Sequence, residues 1–249
     1  MQKDFDNAIL NENLDYATSL YNIILKDNNF ATKREEILKN AFAEAIIRNN
    51  LNIVKWLYNL EQNSLIIKNI SVYFKVACER GYLDLAKWIY EQENKTDLHY
   101  NNEEALRLAC GHGHLDIVKW LFSLNINYNN INNAYTLACY YGYLNIVKYL
   151  FTLDNKPDIH VDEDRGFRNA CYNGHLELAK WILSYDDNYD KFIIIRADDD
   201  FAFKWACKHT HIKVAKWLAE ICNDYKIDCY DNFIYDWKIK RKVVELFYW

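Results

Sequence analysis

The sequence lacks any apolar run near the ~18 residues that a membrane-spanning helix requires. It also lacks an apolar stretch in Met1–Leu10, where Asp4 and Asp6 stand instead, so no signal peptide is expected. Basic residues are fewer than acidic ones, which gives a net charge of -5 and an isoelectric point of about 5.8. Because non-specific binding to nucleic acid or anionic lipid needs a basic excess, we expect neither as a partner. We expect an intracellular, cytoplasmic protein.

Motifs that carry catalysis are also missing. The chain has no Gly-rich phosphate loop, no His-Glu-x-x-His and no nucleophile elbow. His112 with His114 and His209 with His211 are spaced i, i+2 across a predicted helix end, and no cysteine or carboxylate cluster completes a zinc set. We therefore predict that the protein is not an enzyme and needs neither cofactor nor metal.

What the sequence has instead is one phrase repeated along its length. The phrase starts are 37, 32, 32, 29, 32 and 36 residues apart, a period typical of stacked units that cannot bury an apolar face alone. The clearest copy, Ala109–Leu121, reads ACGHGHLDIVKWL. Seven copies begin at Ala8, Ala45, Ala77, Ala109, Ala138, Ala170 and Ala206.

Each phrase predicts two helices joined by a tight turn. Gly113 suits the left-handed turn after a helix, and the apolar residues from Leu115 to Phe122 form one face of a second helix. One cysteine follows the phrase Ala in five copies, on helices expected ~8–10 Å apart, which is too far for disulfides. Buried thiols are expected there, whereas the states of Cys222 and Cys229 stay open.

The phrase A-x-x-x-G-H-L-x-I-V-K-x-L, on a period near 33, resembles the ankyrin repeat. The resemblance implies an all-α solenoid of about seven helix-turn-helix repeats, in a single domain over residues 1–249, with a partial capping repeat at 227–249. The hairpin glycine of the family is replaced by Asn102, Ile131, Glu163 and Asp199, so irregular hairpins are expected. The Ala-Cys and Lys-Trp choices are similar to those of ankyrin proteins from amoeba-infecting giant viruses, and one proline with six glycines fits an AT-rich genome.

In ankyrin proteins the concave face, made of first helices and hairpin tips, usually carries binding, which implies a surface for a protein partner here. The two positions after Ala-Cys vary between copies, and tyrosine there supplies large contact area at low entropy cost. Solvated tyrosines of a tyrosine-rich chain are the other interpretation. The candidate residues on this face are Glu79, Arg80, His112, Tyr140, Tyr141, Tyr172, Asn173, Lys208 and His209.

The hairpin tips add a rim that becomes acidic towards the C-terminus, which favours a partner with basic residues. Its candidate residues are Tyr100, Asn101, Asn129, Asn130, Asp162, Asp164, Asp198 and Asp200. A basic row stands two residues before the phrase Ala, at Lys75, Arg107, Arg168 and Lys204. These cations either pair with acids of adjacent repeats or line a phosphate track.

We therefore predict a non-enzymatic scaffold that binds a protein partner through the concave face. In a virus such a protein would engage a host factor in the host cytoplasm. A structural or virion component without a specific ligand is the first alternative, and nucleic-acid binding along the basic row is the second. We expect a monomer, while association through an exposed end repeat stays open.

Overall fold

The computed structural model describes residues 2–11, 13–26, 33–60, 70–92, 98–124, 131–185, 190–222, 225, 233–236 and 241–245. Helices dominate these residues. They are α1 (Gln2–Leu10), α2 (Leu14–Lys26), α3 (Arg34–Ile47), α4 (Leu51–Leu60), α5 (Ile70–Arg80), α6 (Leu83–Gln92), α7 (Leu98–His112), α8 (Leu115–Ser123), α9 (Ile131–Tyr141), α10 (Leu144–Leu150), α11 (Val161–Tyr172), α12 (Leu176–Tyr185), α13 (Lys191–Lys208) and α14 (Ile212–Ile221). Two strands follow, β1 (Phe233–Asp236) and β2 (Arg241–Glu245).

The chain divides into two compact units. Unit 1 comprises Met1–Ala109 and Asp116–Ile126, and unit 2 comprises Cys110–Leu115 and Asn127–Trp249. Within unit 1, α1 packs on α3 and α3 on α5; within unit 2, α9 packs on α11 and α11 on α13. Each of these first helices also packs on the helix that follows it in the chain. The predicted all-α repeat-solenoid class is confirmed by this succession of helix pairs, and the single domain over residues 1–249 stays a prediction.

The repeat phrase forms the core because its apolar residues fall on the buried faces of both helices. In α8, for example, Ile117, Val118 and Leu121 are at most 1% exposed. The Ala-Cys pair of each strong copy is fully buried, since small side chains let neighbouring helices approach. The described cysteines, Cys222 among them, are outside disulfides, and burial raises the pKa of Cys78, Cys110, Cys139 and Cys171. Cys229 lies outside the described residues.

Tryptophans of the second helices form a column of packed rings. Trp88 contacts Tyr58 with ring centroids 5.1 Å apart, and Trp120 contacts Tyr90 at 5.6 Å. In unit 2 the ring of Trp181 lies 5.4 Å from that of Phe151. In all three pairs the partner comes two residues after the Trp position of the preceding repeat. The column is therefore structural, as its regular spacing in the sequence predicts.

In several repeats a tyrosine or histidine ring brackets the turn of the preceding repeat. His175 hydrogen-bonds through Nε2 to the carbonyl oxygen of Tyr140 at 3.0 Å, and Tyr82 donates its hydroxyl to the carbonyl oxygen of Ile47 at 3.0 Å. Tyrosine and histidine thus interchange because both reach the same kind of backbone acceptor. Gly142 has a φ of +83°, and a Cβ there would lie 2.5 Å from Nδ1 of His175. Glycine meets both demands, a left-handed turn and room for the ring above it.

The C-terminal region corrects one prediction. A helical capping repeat was expected over 227–249, but the residues described there form an antiparallel hairpin in which Phe233 faces Glu245 and Asp236 faces Arg241. The strand sequences, FIYD and RKVVE, contain aromatic and β-branched residues that favour extended backbone, and β2 packs on α13. The Gly turn that separates paired helices elsewhere is absent from this segment.

Candidate protein-binding surface

Unit 2 presents aromatic side chains on the exposed side of its first helices. We define the aromatic platform as Tyr140 and Tyr141 of α9, Tyr172 of α11, Phe201 and Trp205 of α13, and His209 directly after α13. Four of these residues follow the buried Ala-Cys pair directly or by one position. Because the Ala and Cys side chains point into the core, the side chains one and two positions after the Cys point to a different face of the helix.

Ring contacts make the platform continuous. Tyr172 stands at its centre, with ring centroids 6.3 Å from Tyr140, 5.4 Å from Trp205 and 4.4 Å from His209. Tyr140 also contacts Tyr141 at 5.1 Å, and Phe201 contacts Trp205 at 5.4 Å. Tyr140 and Tyr141 are 39% and 51% exposed, in contrast to the fully buried Tyr135 of the same helix. Aromatic area of this kind is therefore available to a partner.

Two cations border the platform. The Lys208 ammonium lies 4.0 Å from the ring centroid of Trp205, and the Arg168 guanidinium lies 5.3 Å from that of Phe201. Lys208 is exposed, whereas the Arg168 side chain is only 15% exposed and forms an ion pair with Asp198. The Nε2 atom of His209 is buried and has no hydrogen-bond partner among the described residues.

Below the platform, His211 holds the turn between α11 and α12. Its ring hydrogen-bonds to the backbone of Tyr172, and a Cβ on Gly174 would lie 2.5 Å from its Nδ1. Burial lowers the pKa of His211, the neighbouring His209 and His175 lower it further, and the bond to Tyr172 opposes them. The hydrogen bond from the His211 ring thus fixes the backbone of the central tyrosine from behind.

The structure brings together Tyr140, Tyr141, Tyr172, Lys208 and His209 of the predicted face. Asn173 turns inward along its own helix, where its side-chain amide donates to the carbonyl oxygen of Asn169 at 3.1 Å. His112 is exposed at the end of α7 and stacks on His114, with centroids 6.4 Å apart. Glu79 and Arg80 end helix α5 in unit 1, outside the platform.

Half of the described rim acids are not at the surface. Asp164 and Asp200 were predicted as exposed rim residues, and this is wrong, because they are 5% and 4% exposed. Asp164 Oδ1 lies 2.6 Å from Nδ1 of His160, and Asp200 Oδ1 accepts a hydrogen bond of 2.5 Å from the Tyr225 hydroxyl. These partners explain the burial, since a carboxylate leaves water only where another polar group satisfies it.

The cause is an unusual turn at the position where a hairpin tip was expected. Asp162, Glu163 and Asp164 have φ of 51°, 56° and 59°, and Asp198, Asp199 and Asp200 have φ of 54°, 56° and 59°. Three successive left-handed residues rotate the third side chain inward and leave the first two outside. Aspartate is among the residues that tolerate this conformation best, which accounts for the acidic sequence.

The remaining predicted rim residues differ from one another. Asp162 and Asp198 are exposed, as predicted, but they pair with Arg165 and Arg168. The backbone of Tyr100 and Asn101 lies within helix α7, not in a hairpin tip, because this helix starts at Leu98, before the apolar phrase; their side chains lie outside the described part. Asn129 and Asn130 also fall outside the described residues.

The basic row is paired with acids, which belong to the neighbouring repeat for Lys75 and Arg168 and to the same helix for Arg107 and Lys204. Lys75 lies 2.8 Å from Glu104 and Lys204 lies 2.7 Å from Asp199, while Arg168 pairs with Asp198. Arg107, at 4.0 Å from Glu104, completes the row. Of the two interpretations left open by the sequence, the structure favours pairing over a phosphate track. Exposed pairs of this kind contribute ~0–1 kcal/mol each to stability.

Sequence reasoning missed Phe201 and Trp205, which supply much of the platform. Both stand at positions where other copies have polar or aliphatic residues, such as Arg165 and Asn169 in the preceding repeat. Residues four apart on a helix share a face, so the series Phe201, Trp205, His209 was a detectable signal. The repeat phrase is defined by residues that several copies share, and Phe201 and Trp205 are not shared between copies.

Among the described residues, no group of three or more His, Cys, Asp or Glu is arranged to hold a metal ion. Within the same ranges, none of the helices has the length and apolar character needed to cross a membrane.

The family model for ankyrin repeats matches three copies over residues 74–163. Ankyrin repeats are therefore found in this part of the chain, where the phrase copies at Ala77, Ala109 and Ala138 stand. A search of curated proteins gives no match. Ankyrin repeats generally mediate protein–protein interaction.

Proposed function

We propose that the protein is a non-enzymatic scaffold that binds a protein partner through the aromatic platform of unit 2. The observation that carries this proposal is the exposure of Tyr140 and Tyr141 beside Tyr172 and Trp205, on helices whose Ala-Cys faces are fully buried. A stable fold does not require these rings to be at the surface. Large aromatic side chains clustered on rigid helices are the residues that dominate binding energy in protein interfaces.

The platform is also pre-organised. Tyr172 contacts rings from two neighbouring helices, and the bracket of His211 holds its backbone, so few side-chain rotations are lost when a partner docks. Preformed surfaces convert more of their contact area into affinity than mobile ones do. The platform lies on three first helices, α9, α11 and α13, that pack against one another, and this packing makes the surface rigid.

Affinity purification from the native cell tests the proposal. The informative variant is Tyr140→Ala/Tyr141→Ala, because both side chains are exposed and their loss leaves the core intact. The matched control is Tyr16→Ala/Tyr185→Ala, which removes two tyrosines that are 49% and 37% exposed on second helices. We expect a protein that wild type and control retain and the platform variant loses. Equal recovery by all three proteins, each folded by circular dichroism, would contradict the proposal.

Nucleic-acid binding is a weaker candidate because the cations that favoured it are paired. Lys75 and Arg168 pair with acids of adjacent repeats, and Lys204 pairs with Asp199 of its own helix, so a phosphate backbone would have to displace those acids. A virion component without a specific ligand is the other alternative, and it predicts no selective partner in the purification.

The composition and the Lys-Trp phrase support a giant-virus origin. If the chain is viral, its partner is a host protein and its location is the host cytoplasm. Purification from an infected and an uninfected host cell would distinguish a host partner from a viral one.

A further inference from the structure

The turns next to the platform are nearly free of negative charge. We define the turn edge of unit 2 as residues 140–145, 172–177 and 208–213, where the first helices end and the second helices begin. Glu177 supplies a carboxylate to this edge, and it lies 3.2 Å from Lys180. Lys208 and Lys213 are exposed cations, and His175, His209 and His211 add imidazoles. The edge is thus aromatic and cationic.

The acids of the same repeats lie at the opposite ends of the first helices. Asp200 precedes Lys208 by eight residues, about 12 Å along a helix. Asp198 and Asp199 are neutralised by Arg168 and Lys204, and Asp164 and Asp200 are buried. The acidic rim therefore offers a basic partner fewer unpaired carboxylates than its sequence suggests.

We infer that the platform binds an acidic protein segment that carries an aromatic or large aliphatic side chain. The segment's side chain packs on Tyr140, Tyr172 and Trp205, and its carboxylate pairs with Lys208, whose ammonium already lies over the Trp205 ring. This rests on the proposed function and adds the partner's chemistry. Lys208 becomes the residue that decides charge specificity.

The dimensions fit an extended segment. The platform crosses three first helices, each about 8–10 Å from the next, and so spans about 20 Å. Extended chain covers about 3.4 Å per residue, so about six residues cross the surface. A segment of that length has room for several carboxylates and an anchoring side chain.

A peptide fits better than a single-stranded nucleic acid, although both are anionic and both stack on aromatic rings. Tight binding of a phosphate backbone relies on many cations along a groove. The turn edge has two lysines, Lys208 and Lys213, and Arg168, which borders the platform, is paired with Asp198. A few carboxylates match this small number of cations.

Selection from a random peptide library displayed on phage tests the inference. The library is selected on the folded wild-type protein and on Lys208→Glu, and enriched peptides are synthesised and measured by fluorescence anisotropy. Lys216→Glu is the matched control, because it makes the same charge change at an exposed site on α14 in the same repeat. We expect enriched peptides rich in Asp or Glu with Phe, Tyr, Trp or Leu. Lys208→Glu should weaken their binding about tenfold or more, and Lys216→Glu less than about twofold, as expected for a contacting and a distant charge.

Each other outcome overturns the inference. Basic peptides that still depend on Tyr141 would refute the acidic class and leave the proposed function standing. A labelled oligo(dT) strand that binds wild type more tightly than the enriched peptides and depends on Lys208 would assign the platform to nucleic acid. Concentration-dependent self-association lost in Tyr140→Ala/Tyr141→Ala would assign it to a second copy. Absence of any enriched peptide would overturn both proposals.

Discussion

Gly174 is the position where the repeat geometry is most open to a quantitative test. Its φ is +78°, and a Cβ added there would meet Nδ1 of His211 at 2.5 Å, Cγ at 2.8 Å and Cε1 at 3.0 Å. An alanine in the left-handed region costs ~1–2 kcal/mol, and forcing a packed ring aside costs ~1–3 kcal/mol. We expect Gly174→Ala to lower the free energy of unfolding by about 2–5 kcal/mol.

Thr210 provides the matched control. It occupies the equivalent turn of the next repeat with a φ of 62°, and it is a β-branched residue in a conformation that such residues rarely adopt. Thr210→Gly should raise the free energy of unfolding by about 1 kcal/mol, because the relief of strain exceeds the extra chain entropy of glycine. The same kind of turn therefore responds in opposite directions to opposite substitutions.

Urea unfolding followed by circular dichroism measures both changes. The double variant Gly174→Ala/His211→Ala separates the two causes, because removing the ring relieves the contact but leaves the backbone strain. We expect a coupling of about 1–3 kcal/mol between the two substitutions. Strictly additive effects, or a Gly174→Ala variant as stable as wild type, would refute the bracket geometry.

Three further predictions concern buried polar groups and thiols. The pKa of His211 is lowered in the folded protein from its ordinary value of 6.5, so below pH 6.5 the unfolded chain binds more protons and stability should fall as the pH drops through that value. In His211→Tyr, which copies the bracket of Tyr82, the urea midpoint should depend less on pH. An unchanged pH dependence of the midpoint would assign that dependence to other groups. Asp200→Ala should lower the free energy of unfolding by about 1–3 kcal/mol, because it removes the partner of the buried Tyr225 hydroxyl. Asp199→Ala should lower it by about 0–1 kcal/mol, because the Asp199 side chain is 91% exposed. Equal urea midpoints for the two variants would contradict the inward orientation of Asp200. Burial raises the pKa of Cys78, Cys110, Cys139 and Cys171. Iodoacetamide should therefore label these thiols at least about a hundredfold faster in urea than in the native protein. Rapid labelling of the native protein, followed by mass spectrometry, would contradict their burial.

The repeated features of the fold were predictable because each one satisfies a demand that recurs in every unit. The Ala-Cys pair, the turn glycine and the Trp column appear at fixed spacing, and all three stand where the spacing predicts. The His and Tyr bracket was predictable for the same reason, since two residue types alternate at one position and share one acceptor.

Features that occur once were not predictable in this way. Asp164 and Asp200 looked like surface acids, and their burial depends on three successive left-handed residues and on partners at His160 and Tyr225. The strands at 233–236 and 241–245 replace a helix pair where the phrase has faded. Trp205 joins the platform through Tyr172 of the neighbouring repeat, a contact that no local spacing reveals.

Photo-crosslinking in the native cell tests the central claim, that the platform is the binding surface, most directly. A photoreactive phenylalanine analogue replaces Tyr141 on the platform in one protein and Tyr185 on helix α12 in another, both of which are exposed tyrosines of unit 2. We expect a discrete crosslinked protein from position 141, lost when Lys208→Glu is added, and none from position 185. A crosslink from position 185 alone, or the same product from both positions, would contradict it.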